Sequence, residues 1–303
     1  MVHVAIAAGA LVACSAAMAE AVALARRLAP LPRPIAVVGE TGVGKRLLAQ
    51  FVHAHSGRAG PFVTVHGGEV SDSLQPPLTG DDRRASGPGQ ARLRATFEQA
   101  QNGTLFLEDL PLWPRAAQSA VLRVVDEGTS APPSCRLIVA SQCGLDELVH
   151  DGRLLPAFRW WIGEFVILVP PLRGRFVDIA ALSYHFLDRA QAEFGSSVPM
   201  VLEPEALDRL LTYRWPGNVR QLRGVVEWSW VQAAASAVDR IRIVDLPPPV
   251  VRDDTAAVAV DLEARRELSR WAFQRAGGNR KRAAQLLGVH PNTIDNHRRA
   301  AAP

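Results

Sequence analysis

The strongest chemical signal in the sequence is the octet GETGVGKR at residues 39–46. It fits G-x-x-x-x-G-K, follows an apolar run at 34–38 and opens a stretch of helical spacing at 46–53. Glycines in such a turn let backbone N–H groups curl around phosphate oxygens. The helix N-terminus adds partial positive charge, and the lysine reaches the outer phosphates. Gly39, Glu40, Thr41, Gly42, Val43, Gly44, Lys45 and Arg46 are therefore the candidate phosphate-binding residues. A tight turn with a solvated lysine would explain the octet alone, but not the octet with its strand and helix. Arg46 stands where the general pattern has a Ser/Thr hydroxyl for Mg²⁺. The second signal is LFLED, in which Glu108 and Asp109 end another apolar run. Carboxylates at a strand end beside a phosphate loop can hold a divalent metal and polarise an attacking water. The pair is thus the candidate catalytic and Mg²⁺-binding element, for ATP or ADP as the nucleotide.

A third stretch points to a different chemistry. Residues 261–303 hold 9 Lys/Arg against 4 Asp/Glu, a net of +5, which leaves 25 against 26, or −1, for the first 260 residues. A basic end suggests a polyanion partner. The spacing predicts one packing helix over 262–276, a break at GGN, a helix over 280–287 capped by Asn279, a turn at Gly288, and a last helix from Pro291 to about Ala300. Two short helices around a glycine-containing turn form a helix-turn-helix pattern. Arg280, Lys281 and Arg282 would lie near the phosphates of double-stranded DNA. Asn292, Thr293, Asn296, His297 and Arg299 would face base edges or backbone in the major groove. A basic surface helix without a ligand, or one that binds a protein, is the alternative reading.

These residues need elements to hold them. The chain has 303 residues, 48% hydrophobic and 21% charged, which excludes wholesale disorder and suggests two or three domains. Its three cysteines lack metal-ligand spacing and fit a reducing cytoplasm rather than a disulfide framework. The apolar, Ala-rich run at 4–19 has no Lys or Arg before it and flows into helical spacing from Met18. It reads as part of the fold rather than a secretion signal, and no other run is long enough to span a membrane. Short apolar runs at 34–38, 61–66, 103–109, 135–141 and 164–172, separated by helical patterns, predict an α/β domain with a parallel sheet flanked by helices over 1–176. An all-α lid subdomain is expected over 177–245, a Pro-rich linker over 246–260 and the all-α helix-turn-helix domain over 261–303.

The segments VACSAAM, GETGVGK, FEQAQNGTLFLED, VPPLRGRFVDI, YRWPGNVRQL and GGNRKRAAQLLGV occur in one order along nearly the whole chain. Together they resemble the AAA+ domain of the bacterial enhancer-binding proteins, the NtrC-type activators of sigma-54 RNA polymerase, followed by a Fis-type DNA-binding tail. The resemblance implies an ATP-binding P-loop homo-oligomer acting in transcription in the cytoplasm, as a ring and as a dimer through the tail. It places Arg220 as the sensor arginine that reaches the nucleotide from the lid. An upstream sensory domain, which many members carry, is not expected in this chain.

Measured against that family, several parts differ. The family's strand ends Asp-Glu, whereas this chain has Glu108–Asp109, so each carboxylate hangs at the wrong reach; misplacement of about 1 Å can cost catalysis ~100-fold. His66 stands for the Asn that restrains the catalytic Glu, and Ser141, Gln142 and Cys143 form the sensor strand's end. The two trans-acting arginine fingers fall on Leu155 and Trp161, and the only cation between them is Arg159. Such fingers are worth ~10³–10⁵ in rate where measured. RASGPG at 84–89 takes the place of the sigma-54-contacting G-A-F-T-G-A loop, and in the tail Asp295 and Arg298 replace an aromatic and an apolar residue. The sequence thus reads as an ATP-binding, sequence-specific DNA-binding regulator deficient in hydrolysis and in sigma-54 contact. The alternative is an active sigma-54 activator ATPase with Arg159 as finger and Glu108 or Asp109 sharing the metal. A pure assembly module is the third possibility.

Overall fold

The computed structural model describes residues 2–6, 9–67, 88–127, 135–194, 200–236, 238–252 and 260–299; of residues up to 10, and of 88–92, 126–127 and 298–299, it describes the backbone only. Five strands, β3 (Ile35–Val38), β4 (Phe62–His66), β5 (Thr104–Glu108), β6 (Arg136–Ser141) and β7 (Val166–Leu168), form one parallel sheet in the order β4-β5-β6-β3-β7. The three central strands are buried almost end to end, which is why each reads as an unbroken apolar run. Alternate side chains feed two cores. Leu105, Leu107, Leu137 and Val139 pack on one face with Phe158, while Phe106, Ile138 and Ala140 pack on the other with Met18 and Phe51. Helices α1 (Ala16–Leu28), α2 (Lys45–Ala54), α3 (Pro88–Gln99), α4 (Arg115–Glu127), α5 (Leu145–His150) and α6 (Pro156–Ile162) accompany this sheet.

The N-terminal run is not the undivided apolar stretch expected. It forms an antiparallel hairpin, β1 (Val2–Ile6) and β2 (Gly9–Ala13), before Ser15 caps α1 by accepting from the Met18 N–H. Val2, Val4, Ile6 and Val12 favour strand, and the alanines between them conceal that preference. Among the described residues no helix is long and apolar enough to cross a membrane.

Beyond the sheet, α7 (Phe176–Phe194), α8 (Pro204–Thr212), α9 (Asn218–Ala235) and the short α10 (Pro248–Val251) build the lid. The lid is not purely helical. Val201–Leu202 (β8) and Arg240–Ile241 (β9) pair in parallel, tying the ends of the segment that contains α8 and α9. Two-residue strands carry no periodicity, so the sequence pattern does not announce them. The expected linker is partly structural too, because Leu246 and Val250 are buried in the lid core. Finally α11 (Leu262–Arg275), α12 (Arg280–Leu287) and α13 (Pro291–Arg299) form the tail. Tail and lid share one hydrophobic core, in which Trp271, Ala283 and Ile294 join Tyr184, Leu207 and Leu210.

One buried carboxylate fixes the lid's first helix to the start of α1. Asp178 accepts from the backbone N–H groups of Cys14 (2.6 Å) and Ser15 (2.9 Å) and from Ser15 Oγ (2.7 Å), and its side chain is fully buried beside Arg175. Asp178→Ala would strand these donors and leave the Arg175 charge buried without its partner. The expected loss is about 3–5 kcal/mol, read as a lower urea midpoint.

Candidate nucleotide cleft and DNA-reading tail

At the carboxyl end of the sheet, where parallel α/β folds place their ligand crevice, the phosphate loop runs from β3 into α2. Gly42 (φ +78°) and Gly44 (φ +106°) take left-handed backbone, and a Cβ on Gly42 would collide with the Gly217 carbonyl of the lid. Lys45 Nζ donates to the Gly39 and Glu40 carbonyls at 2.7 and 3.0 Å. Burial pushes its pKa down, opposed by the charges of Asp109 and Glu108. The cleft, about 350 Å³, is lined by Thr41, Gly42, Gly44, Lys45 and Arg46 from the loop, Glu108 and Asp109 from the end of β5, and Arg220 from the lid. Gly39, Glu40 and Val43 shape the loop from behind: Gly39 N–H donates to Ser141 O, and Val43 packs in the core. The cleft also gathers Gln142 from the sensor strand's end, together with Arg189 and Arg223, which the sequence did not single out because no local pattern marks them.

A buried amide brings the lid onto the loop. Asn218 is fully buried with φ +49°. Its Oδ1 accepts from Leu172 N–H (2.8 Å), and its Nδ2 donates to Glu40 Oε2 and the Thr41 carbonyl (3.0 Å each). Arg173 forks onto the same Glu40 at 2.7 and 2.8 Å, and this pair holds the Glu40 carboxyl below the usual carboxylate range. The first N–H groups of α9, from Val219 and Arg220, reach the Gly42 carbonyl. That contact sets Arg220 at the mouth of the cleft.

The acidic end is unlike a metal site. Strand register places His66 directly opposite Glu108, and His66 Nδ1 lies 3.2 Å from Glu108 Oε2. Arg46 Nε approaches the same oxygen to 3.9 Å, and neither group is aligned to donate a hydrogen bond to it. Asp109 takes left-handed backbone (φ +53°), and its Oδ1 accepts from Gln142 at 3.3 Å. Among the described residues no group of three or more His, Cys, Asp or Glu side chains is placed to hold a metal. Around Glu108 a guanidinium stands at the usual hydroxyl position and an imidazole crowds the carboxylate, a poor fit for Mg²⁺ at that oxygen.

In the tail, Asn279 caps α12 by accepting from Arg282 N–H, and Gly288 (φ +64°) makes the turn, packed so closely on Pro204 of the lid that a side chain there would clash. Lys281, Arg282, Asn292 and Asn296 are exposed. Thr293 and His297 turn the other way, into a cavity of about 650 Å³ between α8 and the tail, where His297 Nδ1 meets Ser269 Oγ at 2.9 Å. Arg280 is exposed but ion-paired to Asp295 at 2.6 Å, so the aspartate's charge is answered from within the tail. The backbone of Arg299 ends α13. Tyr184 OH donates to Leu286 O at 3.0 Å, and Arg275 pairs with Asp188 at 3.0 Å, fastening this unit to α7.

Comparisons with known proteins agree with this architecture. Residues 11–160 match the sigma-54 interaction domain, 173–261 the AAA+ ATPase lid domain and 272–299 the bacterial regulatory protein Fis family. The Psp operon transcriptional activator of Escherichia coli is 32% identical over 287 residues, covering 86% of this chain and 88% of that protein. The DNA-binding transcriptional regulator NtrC of Bradyrhizobium sp. is 31% identical, covering 94% and 68%. The crystal structure of NtrX from Brucella abortus in complex with ADP superposes with a TM-score of 0.67 at 26% identity, covering 96% of this chain and 69% of that one. The chain belongs to the NtrC-type enhancer-binding protein family.

At the finger positions singled out above, the chain's own contacts occupy each residue. Leu155 caps α6, its N–H donating to Gln118 Oε1, and Trp161 packs edge-on against Phe158. Arg159 is only 16% exposed and is closed in by Asp146 (2.8 Å), Glu164 (3.2 Å) and the Gly163 carbonyl (2.8 Å); these bonds, Asp146 first, hold its pKa up. In the loop replacing the sigma-54 contact, residues 84–87 lie outside the described residues, and Pro88 and Gly89 open α3. The geometry around Asn218 yields a direct test. Asn218→Ala should cost about 1–3 kcal/mol in chemical denaturation, since Leu172 N–H loses its buried acceptor. Asn218→Gly, which tolerates the positive φ, should lose less.

Proposed function

We propose that this chain is a DNA-binding transcription regulator that holds ATP or ADP at residues 39–46 and Arg220 without turning it over. The observation that carries the reading is Arg159. It is the only cation between the two finger positions, and three acceptors of its own subunit engage it. A finger must reach a neighbour's γ-phosphate, and this one would have to break two ion pairs to do so. The state of Glu108, crowded by His66 and Arg46, and of Asp109, bonded to Gln142, supports the same conclusion for the attacking water. The NtrX structures with ADP and with ATP, at 26% identity, support nucleotide occupancy in this fold. Lys45 and Arg220 are the residues that bind the phosphates here.

In the tail, Lys281 and Arg282 contact DNA phosphates and the exposed Asn292 and Asn296 read the major groove, with Arg299 near the backbone. Thr293 and His297 support the docking of the tail on the lid. Two such tails in a homodimer would read a two-fold operator in the cytoplasm. Lys281→Ala should weaken binding to every duplex alike and lower the salt slope by about 0.9, whereas Asn296→Ala should relax sequence discrimination by about 1–3 kcal/mol. Mobility shifts at several salt concentrations check both.

The functional test is open-complex formation by sigma-54 RNA polymerase on a sigma-54 promoter with this protein in excess and ATP present. No open complex is expected. Open complexes that disappear with Lys45→Ala would establish the other reading, an active activator, which the likeness to the Psp operon transcriptional activator favours.

A further inference from the structure

Arg46 sits on the first turn of α2, immediately after Lys45, and both line the cleft. A Ser or Thr at that position ordinarily contributes the hydroxyl that holds Mg²⁺. Here a guanidinium occupies it, 47% exposed and so able to move, with Nε 3.9 Å from Glu108 Oε2. The same oxygen has the His66 ring 3.2 Å away, and it is buried without a hydrogen-bond donor. A Mg²⁺ ligated by that oxygen at about 2.0–2.1 Å would stand against both groups.

The charge around the cleft argues in the same direction. Among the described residues, Lys45, Arg46, Arg189, Arg220 and Arg223 line it with the carboxylates of Glu108 and Asp109, and Arg223 is also paired with Glu227 at 2.6 Å. This excess of cations suits a polyphosphate stripped of its metal. Arginine is also the side chain whose planar fork matches both a carboxylate and a phosphate, so Arg46 can bridge Glu108 to the nucleotide.

We propose that Arg46 takes magnesium's place in this cleft, so that the protein binds its nucleotide as the metal-free polyanion. The inference rests on the nucleotide-binding reading above and adds to it the form of the ligand and the residue that selects it. A bridge of this kind neutralises phosphate charge but offers no Lewis acid and no metal-ordered water.

Calorimetric titration of the full chain with ATP, and separately with ADP, in EDTA and in excess MgCl₂ tests this. The dissociation constant in EDTA should equal or improve on that in MgCl₂. Arg46→Ser should weaken binding in EDTA by at least about tenfold, the scale of one charge-assisted hydrogen bond, and MgCl₂ should restore it. Arg46→Lys, which keeps the charge, should still bind in EDTA, and it serves if the serine variant does not fold. Wild-type binding at least tenfold tighter with MgCl₂ would overturn the substitution of metal by Arg46 while leaving nucleotide binding intact. Absence of heat with either nucleotide in both buffers would overturn the nucleotide reading itself.

Discussion

The nucleotide cleft depends on a single buried amide. Asn218 joins three segments that are remote in sequence: the phosphate loop through Glu40 and Thr41, the turn at Leu172 that leaves the sheet, and the start of α9 in the lid. Its left-handed backbone turns the chain so that the first N–H groups of α9 meet Gly42. Loop and lid therefore cannot shift independently, because separation leaves buried polar groups without partners. The tail is carried along with them, since its hydrophobic core is continuous with that of the lid and Tyr184 and Arg275 add polar fastenings. A run of packed side chains thus links the phosphate end of the cleft to the helices that bear Asn292 and Asn296.

Against that well-built frame, the reacting end is crowded by the chain's own groups, with His66 and Arg46 beside Glu108 and Gln142 bonded to Asp109. The parallel register that sets His66 beside Glu108 is fixed by five paired residues of β4 and β5, so the contact is not adjustable by one side chain alone. Arg159 likewise spans α5, α6 and the residues after α6, helping to hold that corner of the sheet domain. A fold can keep its ligand crevice while the groups that make the crevice reactive are reassigned.

Much of this was legible in the sequence because it is local. The strands of the central sheet are continuous apolar runs, the phosphate loop is a contiguous octet, and the tail announces itself through Asn279, Gly288 and Pro291 at cap and turn positions. The rest depends on contacts between distant residues. Asn218 lies 178 residues from Glu40, Asp178 lies 163 from Ser15, and no periodicity connects either pair. The β1–β2 hairpin was hidden by alanines that suit helix and strand alike, and the β8–β9 pair by its shortness. Which side of α13 faces outward was also beyond local pattern, being set by Ile294 in the shared core and by the bond from His297 to Ser269.

The central claim is that the cleft keeps a triphosphate whole. It is tested most directly in a single-turnover experiment, with the protein in excess over γ-labelled ATP, at a concentration where any oligomer forms and with Mg²⁺ present. The account predicts that the bound nucleotide is recovered as ATP after hours, at the rate of loss seen in buffer alone. Conversion of the bound ATP to ADP and phosphate within seconds to minutes would contradict it.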